Sequence, residues 1–265
     1  MEFYEAKRLE PQNGEMDSVA QLDILIGMKH ILGNEIGKLT AIIMLLKSFI
    51  WDPIFNRPVW KPELFDLPND EVKEVYQKKF EDLTPFICLF TRLKKKYNKD
   101  KVQIIMAKLS VPASVPYLGK TFKAKPNITD IDEFRQDMTN YLGNGIGFEW
   151  TEKVSLDKQE VVYRFTRCAY IEILQAYGMD YAASMVCYCD HIIFDNNTPE
   201  LYFSRNHCKG VGDSYCDHHY KIRKLIDDEN NDKRYGDTEK APYDAIKIIK
   251  DWEKNYKDNN GKFKW

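Results

Sequence analysis

Apolar positions recur at helical spacing through the first half of the chain and at alternate positions through parts of the second. From Leu22 to Trp51 they are dense enough for one or two core helices, with Gly33 and Asn34 as a break and Pro53 closing the segment. Between Asp70 and Tyr97 the residues Val72, Tyr76, Phe80, Leu83, Phe86, Phe90 and Leu93 keep a helical period across Pro85, which predicts a kinked helix or a pair. Pro112, Pro116 and Pro126 with Gly119 break any period over 111–127, so an extended connection or a lid is expected there. Thr129, Asp130, Asp132 and Glu133 then start a helix with Phe134, Met138, Tyr141 and Leu142 as its apolar stripe, ended by Gly143. Gly143, Gly145 and Gly147 lack the strand, lysine and spacing of a phosphate loop and predict a plain helix-to-strand turn.

The period then changes from helical to alternating. Glu149–Thr151 and the run Val161, Tyr163, Phe165 predict a strand pair leading into Cys168. Two short helices follow, Cys168–Tyr177 stopped by Gly178, and Asp180–Phe194 with Asp180 as its N-cap. Leu201–Asn206 and Tyr215–Ile222 alternate again as strands, Asp227–Glu239 is a charged, mobile loop, and Ala245–Tyr256 is an amphipathic helix. The expected class is therefore α+β. A helical N-terminal region (1–127) packs with a small, mostly antiparallel sheet and short helices in a cysteine-rich region (128–226), and a charged loop and helix (227–265) complete one globular unit.

Charge and composition narrow the partners. A net charge of −2 gives no general attraction for nucleic-acid phosphates, so nucleic acid is not an expected partner. Met1–Gly14 has no apolar core of the secretory kind, and the most apolar run, Leu39–Leu46, falls far short of the roughly 20 residues a membrane span needs. That run is expected as a buried helix, the location as cytoplasmic, and the six cysteines as reduced thiols. The expected partner is a small-molecule substrate, not a membrane, with homo-oligomerisation left open.

Nine of the chain's eleven cysteines and histidines fall between Cys168 and His219, where an even spread would put about two. Thiols and imidazoles gathered in this way point to thiolate chemistry or to a metal, since both combine nucleophilicity with ligand capacity near neutral pH. On a helix, Cys187, Asp190 and His191 share one face, while Cys189 points about 200° away from Cys187. On a strand, Cys216, His218 and Tyr220 share one face and Asp217, His219 and Lys221 the other, so only one of the two histidines can enter a common pocket. The spacings Cys187-x-Cys189 and His218-His219 do not fit structural zinc templates, so the sequence requires no cofactor, although a catalytic divalent metal with fewer ligands stays open.

Four pieces of this region resemble the L-2-amino-thiazoline-4-carboxylic acid hydrolase family. They are Thr166-Arg167-Cys168-Ala169-Tyr170 with Gly178 ten residues beyond the cysteine, Cys187-Tyr-Cys-Asp190, Phe203-Ser-Arg-Asn206, and Gly212-Asp-Ser-Tyr-Cys216-Asp217. The chain departs from the family's pattern at Ser204-Arg205-Asn206 and at His218-His219, positions that bear on the substrate. The resemblance implies hydrolytic opening of a small thiazoline- or amidine-like ring. That reaction needs a nucleophile at the carbon between nitrogen and sulfur, a proton for the ring nitrogen and stabilisation of the leaving thiolate. Asp190 or His219 could serve as acid or base and Cys168 or Cys216 as nucleophile, or a metal-bound water could attack instead. Cys187, Arg205, Asn206 and Asp217 are candidate substrate-binding residues, with Arg205 able to take a carboxylate in a two-pronged hydrogen bond. The competing readings are a relative that forms or rearranges a heteroatom ring in natural-product assembly, and a non-catalytic ligand-binding or thiol-sensing module.

Overall fold

Helices fill the first half of the chain and the sheet is completed in the second. A computed structural model describes residues 2–7, 9, 21–122, 128–142, 147–196, 200–222 and 235–259. After a short strand β1 (Phe3–Glu5) come α1 (Gln21–Ile36) and α2 (Lys38–Leu46), a π-helical turn (Lys47–Trp51), α3 (Asp52–Phe55), and the long helices α4 (Asp70–Lys94) and α5 (Lys99–Thr121). Then follow α6 (Ile131–Leu142), the hairpin β2 (Phe148–Ser155) and β3 (Glu160–Cys168), α7 (Ala169–Ala176), α8 (Asp180–Asn196), β4 (Leu201–Ser204), β5 (Cys216–Ile222) and α9 (Ala245–Asp258). The sheet is antiparallel throughout, in the order β1-β2-β3-β5-β4. The chain is thus α+β, helices first and strands later, as its periodicity predicts.

Local chemistry explains the helix starts. The side chains of Asn69 and Asn98 accept the amides of Val72 and Lys101, each at 2.9 Å, satisfying donors that the first turns of α4 and α5 leave free. At α8 the capping comes from another element. Gln103 of α5 accepts the Tyr181 amide at 3.3 Å and donates to the Gly178 carbonyl at 2.7 Å, fixing α5 against the α7–α8 junction. Ser110 continues this contact by donating to the Ala182 carbonyl at 3.3 Å. On its other side α8 faces the sheet, where Phe194 meets Tyr220 edge-on at 4.8 Å and Phe134 of α6 lies 4.5 Å from the same ring. Arg135 of α6, itself buried, ties this layer to β2 through Glu152 at 2.8 Å.

Several segments differ from what the sequence predicts. Residues 111–121 are helical rather than extended, although Pro112 and Pro116 lie inside α5. Burial of Val111 and Val115 in a helix packed on α8 outweighs the local cost of proline. Of the kinked helix or pair expected across Pro85, the structure has the single helix, α4. The break after α1 falls at Gly37, not at Gly33 or Asn34. Leu39–Leu46 is helical but not buried as a whole: Ala41, Met44 and Leu45 face inward while Leu39 is 72 % exposed. Strand β1 has three exposed residues, so no apolar alternation announces it. Residues 235–240 form a 3-10 turn with Tyr235, Asp237 and Thr238 buried, where a charged mobile loop was expected. The expected features at Pro126, at Gly143 and Gly145, and over 227–234 lie outside the described residues. No described helix is long and apolar enough to cross a membrane.

Candidate functional site

The site is assembled where α8, the loop between β4 and β5, and the start of β5 meet. In that loop a 3-10 turn (Lys209–Val211) lies directly on α8. The approach requires glycine at 210, because a Cβ there would stand 2.7 Å from Ser184 Cα and 3.1 Å from Cys187 Sγ. With the turn seated, Cys208 and Cys216 close on Cys187, and the three buried sulfurs lie within 4.8 Å of one another. The Lys209 amide donates to Cys216 Sγ at 3.1 Å. Two carboxylates hold the loop: Asp213 accepts the Cys208 amide at 2.8 Å, and Asp217 accepts the amides of Asn206 and His207 at 2.9 and 2.6 Å.

These contacts divide the thiols electrostatically. Hydrogen bonds from the thiols of Cys187 and Cys208, the charge of Arg205 and the Lys209 amide hold Cys216 well below the ordinary thiol range despite its burial. Cys187 is pushed well up by its contacts with Cys208 and Cys216 and by burial. Cys187 pulls Cys208 down, but Cys216 and burial carry it up to about 11. Of the three, Cys216 is the thiol that these contacts favour as the anion. Burial raises Cys168 far above the ordinary range, so that thiol stays protonated. Cys189 points to α5, with Sγ 3.8 Å from the Ser110 carbonyl.

Behind the thiols lies a buried charge network centred on Arg205, which is 1 % exposed. Its Nε donates to Asp237 Oδ2 at 2.8 Å and its Nη2 lies 2.7 Å from the same oxygen. Nη2 also donates to the Cys187 carbonyl at 2.9 Å, and Nη1 to Asp190 Oδ2 at 3.0 Å and His218 Nε2 at 3.1 Å. All three nitrogens of the guanidinium thus donate to acceptors of the protein itself. Because Arg205 can only donate, His218 Nε2 accepts, and the imidazole proton sits on Nδ1, 3.1 Å from the Tyr220 hydroxyl. Burial and the neighbouring guanidinium push His218 down to about 4, so it is neutral at pH 7. Burial raises Asp190 above the ordinary carboxylate value, with His218 and Arg205 opposing the shift. Asp237 is held well below it, because Arg205 and His191 outweigh its own burial. His191 bonds Asp237 Oδ1 at 2.9 Å through Nε2.

A cavity of about 100 Å³ opens between this cluster and the sheet. Cys168, Cys187, Asp190, Cys216 and His218 line it together with Tyr220. Cys168 is placed at the β3–α7 junction by Glu172, which accepts its amide at 3.1 Å and the Tyr76 hydroxyl at 2.6 Å.

Four expected site residues thus meet at one space, and the other four do not line it. His219 lies on the opposite face of β5, bonded to Glu160 at 2.7 Å, because alternation along the strand sends His218 inward instead. Asn206 is exposed, and Asp217 accepts from the loop amides and from His207 Nδ1 at 3.0 Å. Arg205 backs the cavity through Asp190 and His218. Sequence reasoning missed Cys208 as a partner of Cys187 and Cys216, and Asp237 altogether. The only local sign of Asp237's burial is Tyr235-Gly236, an aromatic residue and a turn former inside a charged run.

The thiol trio offers three soft ligand atoms suited to zinc or a similar cation. In a tetrahedral site with Zn–S bonds of about 2.3 Å, the sulfurs stand about 3.8 Å apart, compatible with this spacing. The family model described as L-2-amino-thiazoline-4-carboxylic acid hydrolase matches residues 77–220, which is more than half of the chain. Neither a curated protein nor a solved structure matches it.

Proposed function

The chain belongs to the L-2-amino-thiazoline-4-carboxylic acid hydrolase family, and from that premise we propose that it hydrolyses a thiazoline- or amidine-like ring at the cavity between α8 and β5. The observation that carries this reading is the convergence of the Cys216 thiolate and the Asp190 carboxyl on one small space. Cys216 Sγ attacks the carbon between ring nitrogen and ring sulfur while Asp190, whose burial favours its proton-bearing form, acts as the general acid toward the ring nitrogen. Breaking the ring carbon–sulfur bond releases a thiolate on the substrate and leaves the substrate carbon on Cys216. Water then attacks that carbon and expels the Cys216 thiolate, so each turnover consumes one water and yields one new substrate thiol. Cys187 and Cys208, as thiol donors, stabilise Cys216 in its anionic form before attack and after release. Arg205 is a positioning residue, holding Asp190 and His218 at the cavity wall.

A second reading rests on the three sulfurs themselves. Cys187, Cys208 and Cys216 would hold a zinc ion, which when bound supplies Lewis acidity, and Asp190 would then accept a proton from water. One experiment separates the two. Purified, metal-analysed protein is incubated with 2-amino-thiazoline-4-carboxylate and new thiol is followed, with and without a strong chelator, beside Cys216→Ala, Asp190→Asn and Cys208→Ser. Release that is indifferent to chelation and lost in Cys216→Ala supports thiolate attack, whereas loss of zinc and turnover together in Cys208→Ser supports the metal. No thiol release from folded, metal-replete protein removes this substrate.

A further inference from the structure

A second and larger space adjoins the reactive cavity. It measures about 560 Å³, within the range of about 300–1,000 Å³ typical of pockets for drug-sized ligands. Leu118, Tyr141, Tyr170 and Val186 line both spaces. Two of these lie beside the thiols in sequence, Tyr170 two residues after Cys168 and Val186 immediately before Cys187. The larger chamber is walled by Ile24, Leu25 and Met28 of α1, Phe49 of the π-helical turn, and Pro85 and Phe86 of α4. Its one charged lining residue among those described is the acidic Asp82, 3.3 Å from Lys79, so the described lining offers no cation for a carboxylate or phosphate. Arg205, behind the thiols, has each of its three nitrogens donating to protein acceptors, and Lys209 Nζ donates to the Thr166 carbonyl at 3.1 Å. A small zwitterionic ring would leave most of the chamber's apolar wall uncovered.

We infer that the substrate carries an apolar chain, alkyl or aryl, which fills this chamber while its heteroatom ring sits at the thiols. The inference rests on the hydrolase reading for the ring and on the chamber for the chain. The α1 and Phe49 walls lie outside the family-matched residues 77–220.

The test uses the full chain and 2-alkyl-thiazole-4-carboxamides from ethyl to nonyl, whose aromatic ring stays closed, so that calorimetry reads binding apart from turnover. Each methylene that enters the chamber tightens Kd about fourfold until its end is reached. Ala113→Phe on α5 and, independently, Leu25→Trp on α1 fill the chamber from different walls. Either variant removes the gain with length and leaves the ethyl compound within about twofold of the wild type. A Kd that is flat with chain length in the wild type, or a gain that survives both variants, overturns the inference. The hydrolase reading fails differently: length-dependent binding persists, but neither short nor long thiazolines release thiol. Conversely, release from 2-amino-thiazoline-4-carboxylate beside a flat binding series keeps the reaction and removes the chain.

Discussion

Asp237 and Arg205, 32 positions apart in the chain, meet in the interior as an ion pair, with Nε donating to one carboxylate oxygen at 2.8 Å and Nη2 lying 2.7 Å from it. Neither side chain reaches solvent. Removing one partner of such a pair leaves the other charge buried without compensation, which costs far more than the pair itself contributes. Asp237→Ala is therefore expected to lower unfolding free energy by about 3–5 kcal/mol in urea titrations at pH 7. A loss below about 1 kcal/mol would show that water reaches Arg205 and that the network is not closed.

Cys168 and Cys216, both facing the cavity, should separate in function. With Cys216 as the proposed nucleophile and Cys168 held in its protonated form by burial, Cys216→Ala is expected to reduce thiol release by about a thousandfold or more. Cys168→Ala should stay within about tenfold of the wild type. The reverse ranking in steady-state kinetics would move the nucleophile to the β3–α7 junction.

Protonation of His218 gives a window of pH-dependent stability. Its pKa falls from an unfolded value near 6.5 to about 4 in the fold, so the unfolded chain takes up the proton first. The stabilisation is fully present above about pH 6.5 and is lost as pH falls toward 4, amounting to about 3 kcal/mol. Asp190 works in the opposite sense, since its raised pKa makes folding more favourable as it gains a proton. The measurement is accordingly a difference. Urea midpoints of the wild type and His218→Gln are compared at pH 7.5, 5.5 and 4.5, and the wild type should lose its relative advantage across the series. Parallel curves would contradict a buried neutral imidazole.

Gly210 and Gly212 stand two residues apart in one loop but need glycine for different reasons. Gly212 has φ +99° and open space around its missing Cβ, whereas a Cβ on Gly210 would strike α8. Gly212→Ala should cost about 1 kcal/mol of stability and leave catalysis near normal. Gly210→Ala should cost about 1–3 kcal/mol and also depress kcat, because the 3-10 turn must lift away from Cys187. Equal kcat values for the two variants would separate the seating of the turn from the chemistry.

What the sequence makes legible here is whatever depends on local period. Alternation alone places Cys216, His218 and Tyr220 on one face of β5, and helical spacing puts Cys187 and Asp190 together with Cys189 turned away. The middle of β5 shows the limit. Alternation states that His218 and His219 part company, yet the choice of inner face follows from the pairing of β5 with β3 and β4 and from the packing of α8 over Tyr220. Asp237 was beyond reach for a related reason. Its burial depends on partners 32 and 46 positions away, and its neighbours are the charged residues that mark a loop. The α5 prolines mislead because local propensity weighs against a helix that tertiary packing enforces.

The buried counter-ion of Arg205 also sets the smallest piece of this chain that can be expected to stand alone. The family-matched stretch ends at residue 220, while Asp237 lies beyond it. A truncation drawn at that border would keep the three clustered thiols, the cavity and the guanidinium behind them, and discard the carboxylate that neutralises it. For this protein the candidate site is therefore not a transplantable cassette of residues 77–220, and any graft or minimal version must carry the turn at 235–240 with it.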